Sequence, residues 1–250
     1  MIIKDGENVK EKEILSVLMI GQSNMCGRGN IGDVPPIVNP DCYMLRMGRW
    51  QPMSDPINVD RAISGIPYPC GVSLAGSFAD GLAKHTGKKV GLIPCADGGT
   101  RASQWQPGEP LYDHAVMQCK LAERASKLTA IIWHQGESDS LTDIAVYREQ
   151  LLNIFTSLRR DLGNPELPII VGEISDKVDP KWHIGEDLSR VYRINNLLHE
   201  LSHELPSFAV ASAEGLTLKD DGIHFDSVSQ REFGKRYLEK YINICKARAN

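Results

Sequence analysis

Apolar residues along this chain come in short unbroken runs, with no alternation. Five runs predict strands, at Ile14–Ile20, Lys89–Pro94, Ala130–His134, Leu167–Glu173 and Phe208–Ala213. A run that is apolar at every position predicts a strand covered on both faces, the condition of a parallel sheet. Between the runs the spacing changes to three and four residues, the period of an amphipathic helix. Val72–His85 ends at Gly87, and Tyr112–Lys127 places His114, Met117, Leu121 and Ala125 on one side. Asp143–Leu162 ends at Gly163 and Pro165, and Leu188–His203 follows a charged loop. A last helix begins at Asp226-Ser227, where Gln230 three residues after Ser227 predicts a capping box. It carries Phe233, Tyr237, Tyr241 and Ile244 down one face. Strand and helix in alternation predict a parallel sheet with helices on both sides. Five strands are too few for an eight-stranded barrel. The expected fold is therefore α/β, one open flavodoxin-like three-layer αβα sandwich with a five-stranded parallel sheet, built as a single domain from residues 1–250.

Two connections break this rhythm. Residues 25–71 hold seven prolines and six glycines and show little periodicity, and residues 95–111 follow the second strand. Both leave the carboxyl ends of strands, where open α/β sheets bind ligands, and long ordered loops in a compact domain usually wall a site. Composition narrows the classes without naming one. Apolar content of 42% and charged content of 24% are those of a soluble globular chain. A net charge of −4 provides no basic field for nucleic acid or anionic lipid. No apolar run approaches the ~20 residues of a membrane span. The first residues, Met1 to Glu7, are polar where a secretion leader is apolar, so the cytoplasm is the expected compartment. The six cysteines, at 26, 42, 70, 95, 119 and 245, include no Cys-x-x-Cys pair, so free thiols and no metal site are expected.

Candidate chemistry sits at the ends of the strands. The first strand runs into Gly21-Gln22-Ser23-Asn24-Met25, which presents Ser23 on a tight turn at the sheet edge. A serine nucleophile needs a histidine base, an acid to orient it and donors for an oxyanion. Of seven histidines, His224 lies just after the fifth strand in Asp221-Gly222-Ile223-His224, so it returns to the edge that carries Ser23. Asp221, three residues upstream across a glycine turn, can reach Nδ1 and leave Nε2 free for the serine proton. Asp220 is adjacent and less well spaced. Gly98 or Gly99 in the loop after strand two can bring a backbone N–H against a substrate oxygen, and Gln135 after strand three offers an amide. Chance would scatter such motifs over both edges. Here four of them share one edge, and each is of the kind that acyl transfer requires.

These blocks, Gly21 to Met25, Gly98-Gly99-Thr100, Gln135-Gly136-Glu137-Ser138-Asp139 and Asp221 to His224, resemble those of the SGNH hydrolases. More narrowly, they are similar to the carbohydrate esterase family 6 and sialate O-acetylesterase branch, which includes acetylxylan esterases. The resemblance covers residues ~14 to ~235 and implies a carbohydrate acetylesterase without metal or cofactor. It implies Ser23 as nucleophile, His224 as base and Asp221 as acid, with an oxyanion hole from the Ser23 N–H, a glycine of the 98–99 pair and Gln135. Glu137 is expected to orient its loop or to serve as a further carboxylate near the histidine, and Asn24 to support the site. Arg28, Arg101, Trp105 and Trp50, on the long loops, are candidates for contact with a small acetylated sugar. No nucleic-acid or membrane partner is expected. Other classes are a flavodoxin-like flavin or nucleotide binder, with Gly98-Gly99-Thr100 at a phosphate, and a carbohydrate-binding module without catalysis. The first lacks a Gly-x-Gly-x-x-Gly or Walker pattern and leaves Asp221 and His224 unexplained, and the second has no missing triad position to support it.

Overall fold

The architecture is that of a computed structural model, which describes residues 14–58 and 69–249. In chain order the strands are β1 (Ile14–Gly21), β2 (Cys42–Arg46), β3 (Arg49–Pro52), β4 (Val90–Pro94), β5 (Ser126–His134), β6 (Ile169–Gly172) and β7 (Phe208–Ala211). The helices are α1 (Ser23–Cys26), α2 (Leu74–Thr86), α3 (Pro110–Ala122), α4 (Ile144–Asp161), α5 (Ser189–Glu204) and α6 (Ser227–Ala249). All seven strands form one sheet in the order β3-β2-β4-β1-β5-β6-β7. The five runs expected to be strands are β4, β1, β5, β6 and β7, side by side and parallel throughout.

β1 shows why its sequence is apolar at every step. Leu18 and Ile20 pack with residues of α3, α4 and α5 on one face, while Leu15, Val17 and Met19 pack with α2 and α6 on the other. Burying such a side chain stabilises the fold by about 1.5–3 kcal/mol, so a strand covered twice leaves no room for polar alternation. Its one polar residue, Ser16, is fully buried and accepts a hydrogen bond from Ser126 Oγ at 3.0 Å.

The sheet is larger than expected by two strands. Both arise within residues 25–71: β2 adds parallel to β4, and β3 adds antiparallel to β2. Met47 and Gly48 join them with φ of 49° and 73°, the paired left-handed conformation of a two-residue hairpin. The hairpin escaped sequence reasoning because β2 has only Cys42 to Leu45 as an apolar run and β3 reads Arg-Trp-Gln-Pro at the solvated edge of the sheet.

Two local expectations also fail. The helix predicted over Tyr112–Lys127 ends at Ala122, and β5 begins at Ser126. Its buried face is Leu111, Tyr112, Ala115, Cys119 and Ala122, whereas Met117 is 59% exposed. After Tyr112 only the small residues Ala115, Cys119 and Ala122 are fully buried, while the larger Met117 faces solvent, which inverts the pattern that size suggests. The capping box at Ser227 does not form. Asp226 Oδ1 caps α6 by accepting from Ser229 N–H at 2.7 Å, Ser227 Oγ donates to Asn30 C=O at 2.8 Å, and Gln230 Nε2 donates to Asn24 C=O at 3.1 Å. Tertiary partners have taken both side chains from the helix end. The other helix ends follow their residues: Ser73 and Asp143 cap α2 and α4, and α2 stops at Gly87 in the left-handed conformation.

Candidate active site

At the carboxyl end of β1 the chain turns sharply enough to require glycine. Gly21 has φ of 128°, and a Cβ there would lie 2.2 Å from the His134 carbonyl oxygen of β5. Gln22 N–H donates to that same oxygen at 2.8 Å, which pins the turn to β5. Ser23 then opens α1, where the first N–H groups of a helix have no partner within it. The residue is 8% exposed and sits in the wall of a cavity of about 930 Å³.

His224 and Asp221 enter this cavity from the loop between β7 and α6. Ser23 Oγ lies 3.0 Å from His224 Nε2, and His224 Nδ1–H donates to Asp221 Oδ2 at 2.9 Å. Asp221 Oδ1 accepts the backbone N–H groups of Ile223 and His224 at 3.1 and 3.0 Å. Burial pushes this carboxyl up. The bonds from the His224 backbone and ring and from Ile223, with the ring's charge, outweigh it and hold Asp221 below its ordinary range. An ionised Asp221 fixes the tautomer that leaves Nε2 as the acceptor facing Ser23. Asp220, the alternative acid, instead offers its backbone carbonyl to Lys181 Nζ at 3.4 Å.

A second set of bonds holds the histidine loop against the serine turn. Asn24 Oδ1 accepts from Phe225 N–H at 3.1 Å, and Asn24 Nδ2 donates to Ile223 C=O at 3.2 Å, so one amide brackets His224 on both sides. Glu137 Oε1 receives Asn24 Nδ2 at 2.7 Å and His134 Nε2 at 3.2 Å. Burial raises the Glu137 carboxyl, but the His134 ring, by charge and hydrogen bond, and Asn24 bring it below the ordinary value. Tyr237 OH completes the chain, donating to Trp133 C=O at 2.8 Å and lying 3.3 Å from His134 Nδ1. Glu137 reaches the histidine loop through Asn24, the arrangement of a positioning group.

The expected donors divide. Gly98 lies against the serine: a Cβ there would be 3.7 Å from Ser23 Cβ and 2.6 Å from Arg28 Nη2, whereas one on Gly99 would meet nothing within 4 Å. Gln135 departs from its expected role. It is fully buried outside the cavity wall, its Nε2 donates to Thr100 C=O at 3.1 Å and to Asp139 Oδ2 at 2.5 Å, and its Oε1 accepts from Tyr147 OH at 3.0 Å. An amide with both ends committed has nothing left for a substrate. Beside Ser23 the cavity is lined by the amide of Gln22, whose Oε1 accepts the N–H groups of Gly136 and Ser138 at 3.4 and 3.3 Å.

Of the four candidate sugar contacts, Arg28 and Arg101 line the cavity and the two tryptophans do not. Trp105 is 1% exposed, donates Nε1–H to Thr100 Oγ1 at 3.0 Å and packs edge-on against Trp133. Trp50 packs over Gly91 of β4 at the far side of the sheet. An aromatic wall does exist, supplied by Trp182, which sequence reasoning passed over. Trp182 lines the cavity beside Ile184 and donates Nε1–H to Asp221 C=O at 2.8 Å, tying the loop after β6 to the acid. That loop also leaves the carboxyl edge of the sheet, so the rule applied to residues 25–71 and 95–111 would have found it. Among the described residues, no group of three or more His, Cys, Asp or Glu is placed to hold a metal ion, and no helix is long and apolar enough to cross a membrane.

The profile of a family described as carbohydrate esterase, sialic acid-specific acetylesterase, matches residues 14–243. A probable carbohydrate esterase of Arabidopsis thaliana is 29% identical over 250 residues, covering 91% of this chain and 90% of that protein. The X-ray structure of an Arabidopsis thaliana protein superposes with a TM-score of 0.80 at 26% identity, covering 92% of this chain and 98% of that one. The crystal structure of NanS does so with a TM-score of 0.74 at 17% identity, covering 96% and 99%. A carbohydrate acetylesterase from Sinorhizobium meliloti gives 0.55 at 14% identity, covering 92% and 99%. The last two likenesses concern the fold alone.

Proposed function

The chain belongs to the carbohydrate esterase family of sialic acid-specific acetylesterases, and from that premise we propose that it removes O-acetyl groups from small sugars through an acyl-enzyme on Ser23. The observation that carries the reading is the linear array of Ser23 Oγ, His224 and Asp221, at 3.0 and 2.9 Å, opening into a cavity of sugar size. His224 Nε2 takes the Ser23 proton as Oγ attacks the acetyl carbonyl. The C–O bond to the sugar breaks, and the same proton passes to the departing sugar oxygen. Water then repeats the path in reverse and releases acetate. The developing oxyanion is met by the N–H groups of Ser23 and Gly98, with the Gln22 amide in the place first assigned to Gln135. Each such donor contributes on the order of 3–4 kcal/mol to the transition state.

Arg101 and Trp182 at the mouth are the sugar-contacting residues in this reading. The wall carries Arg28, Arg101 and Lys219 beside Asp97, Glu137 and Asp221, and an acidic acetyl sugar whose carboxylate pairs with Arg101 is the substrate this reading takes ahead of a neutral xylo-oligosaccharide. The test is acetate release from p-nitrophenyl acetate and from a panel of acetylated sialic acids and xylo-oligosaccharides, with the Ser23→Ala protein alongside. Turnover that disappears in Ser23→Ala supports the proposal. Turnover that persists in that variant, or a wild type that binds sugar or nucleotide without hydrolysing ester, defeats it.

A further inference from the structure

The cavity holds a second nucleophile that ester hydrolysis does not use. Cys70 is half-buried in its wall, and Cys26, the last residue of α1, lines it from a fully enclosed position. Though distant in sequence, the two are brought together by backbone pairing. Gly71 N–H donates to Gly27 C=O at 2.9 Å, and Gly29 and Val72 exchange bonds of 2.8 and 3.2 Å. Two donors and a second thiol then meet at one sulfur. Arg28 Nη1 lies 3.4 Å from Cys70 Sγ and Asn58 Nδ2 3.8 Å from it, and Cys26 is the neighbouring thiol that acts on it most strongly. Asn58 is itself held by a 3.0 Å bond to Ala96 C=O, so the cluster is built into the wall.

This environment favours a thiolate. The Cys26 bond, set against the cost of burial, with the charge and bond of Arg28 and the bond of Asn58, brings the Cys70 thiol down to about 6. Burial, the bond to Cys70 and the nearby Asp97 raise Cys26 well above the ordinary range, against the pull of Arg28. The cluster lowers one thiol and raises its neighbour, so Cys70 is the readier thiolate and Cys26 the readier to keep its proton. That is the division of labour of an attacking and a resolving cysteine.

We propose that Cys70 is a modification site in the wall of this cavity, reacting with soft electrophiles and low-molecular-weight disulfides, with Cys26 as its resolving partner, and that occupation of Cys70 blocks the cavity. With a disulfide R–S–S–R, Cys70 Sγ attacks one sulfur, a new S–S bond forms and R–S⁻ leaves. Cys26 then gives up its proton and attacks Cys70 Sγ, and the second R–S⁻ departs. The two protein thiols are oxidised by two electrons, and R–S–S–R is reduced to two R–SH. The blocking step rests on the reading of the cavity as the esterase site, whereas the labelling does not, so the two can fail separately.

The experiment is alkylation of the native protein with iodoacetamide from pH 5 to 9, followed by peptide mass mapping, with exposed Cys245 as internal comparison. The labelling rate of Cys70 is expected to rise through pH 6 and level off at neutral pH, ahead of Cys245, and hydrolysis is expected to fall in proportion. Cys70→Ser should resist inactivation while retaining turnover. Glutathione disulfide should yield a Cys26–Cys70 disulfide in wild type and a lasting glutathione adduct on Cys70 in Cys26→Ser. Labelling of Cys70 no faster than Cys245 at pH 6.5 would overturn the proposal, and this arm needs no variant to fold. Full labelling with undiminished hydrolysis would overturn the blocking claim. A wild type that labels at Cys70 but never hydrolyses ester would sink the esterase reading alone.

Discussion

Two turns leave neighbouring strands at the same edge of the sheet, and both are dense in polar residues. The turn after β1 carries Gln22, Ser23 and Asn24, and the turn after β5 carries Gln135, Glu137 and Asp139. In the first, a hydroxyl faces an open cavity and meets an imidazole at 3.0 Å. In the second, Ser138 and one edge of Glu137 reach the cavity, while the hydrogen bonds of Gln135, Glu137 and Asp139 are made within the protein. Gln135 is spent on Thr100, Asp139 and Tyr147, Asp139 Oδ2 also accepts Ala102 N–H at 2.8 Å, and Glu137 holds Asn24 and His134. One turn presents chemistry and the other fixes the geometry that chemistry needs. The division rests on which polar ends are already occupied, because a buried group without its partner costs about 1–3 kcal/mol.

Substitutions can break this contrast, and the largest effect belongs to the first turn. Ser23→Ala should lower kcat by about 10⁴–10⁶-fold while the melting temperature stays near that of wild type, since a lone hydroxyl is removed from a cavity wall. Asp221→Asn, measured by kcat/KM against pH, should cost on the order of 10⁴-fold by losing the tautomer that leaves Nε2 as acceptor. Gln135→Ala should do the opposite of an oxyanion-donor loss. Denaturant unfolding should show a loss of roughly 1–3 kcal/mol, with kcat of the folded protein changed only a few-fold. A fall of 10²-fold or more in kcat with KM unchanged would return Gln135 to the oxyanion hole and remove the contrast between the turns.

The smallest expected effect is in pH dependence. The Glu137 carboxyl is lowered in the folded state. Its stabilisation is therefore present above the ordinary carboxylate value and is lost as pH falls through the folded one. Melting curves should show wild type losing stability below about pH 4 more steeply than Glu137→Gln. Parallel acid limbs would mean that the buried carboxylate is not held ionised by Asn24 and His134.

The two turns also mark how far the sequence could be followed. Twofold burial writes itself into β1 as an unbroken apolar run, so five of the seven strands and their parallel sense were legible. The β2–β3 hairpin was not, because a four-residue run beside a solvated strand resembles loop. Ser23, Asp221 and His224 could be brought to one edge by topology alone, since each follows a strand end. Whether a polar residue at that edge faces out or in depends on partners distant in sequence. Gln135 is held by Thr100 and Tyr147, Trp105 by Thr100 and Trp133, and no local pattern announces either. The thiol pair escaped for the same reason, since Cys26 and Cys70 meet only through the pairing of Gly27 and Gly29 with Gly71 and Val72.

The central claim, that Ser23 is the nucleophile and His224 its base, is tested most directly by mass mapping after reaction with a serine-directed phosphonate. The account predicts one phosphonylated residue, Ser23, its extent matching the loss of acetate release, with labelling slowed by several orders of magnitude in His224→Ala. A label on any other residue, or full hydrolysis from protein stoichiometrically labelled at Ser23, would contradict it.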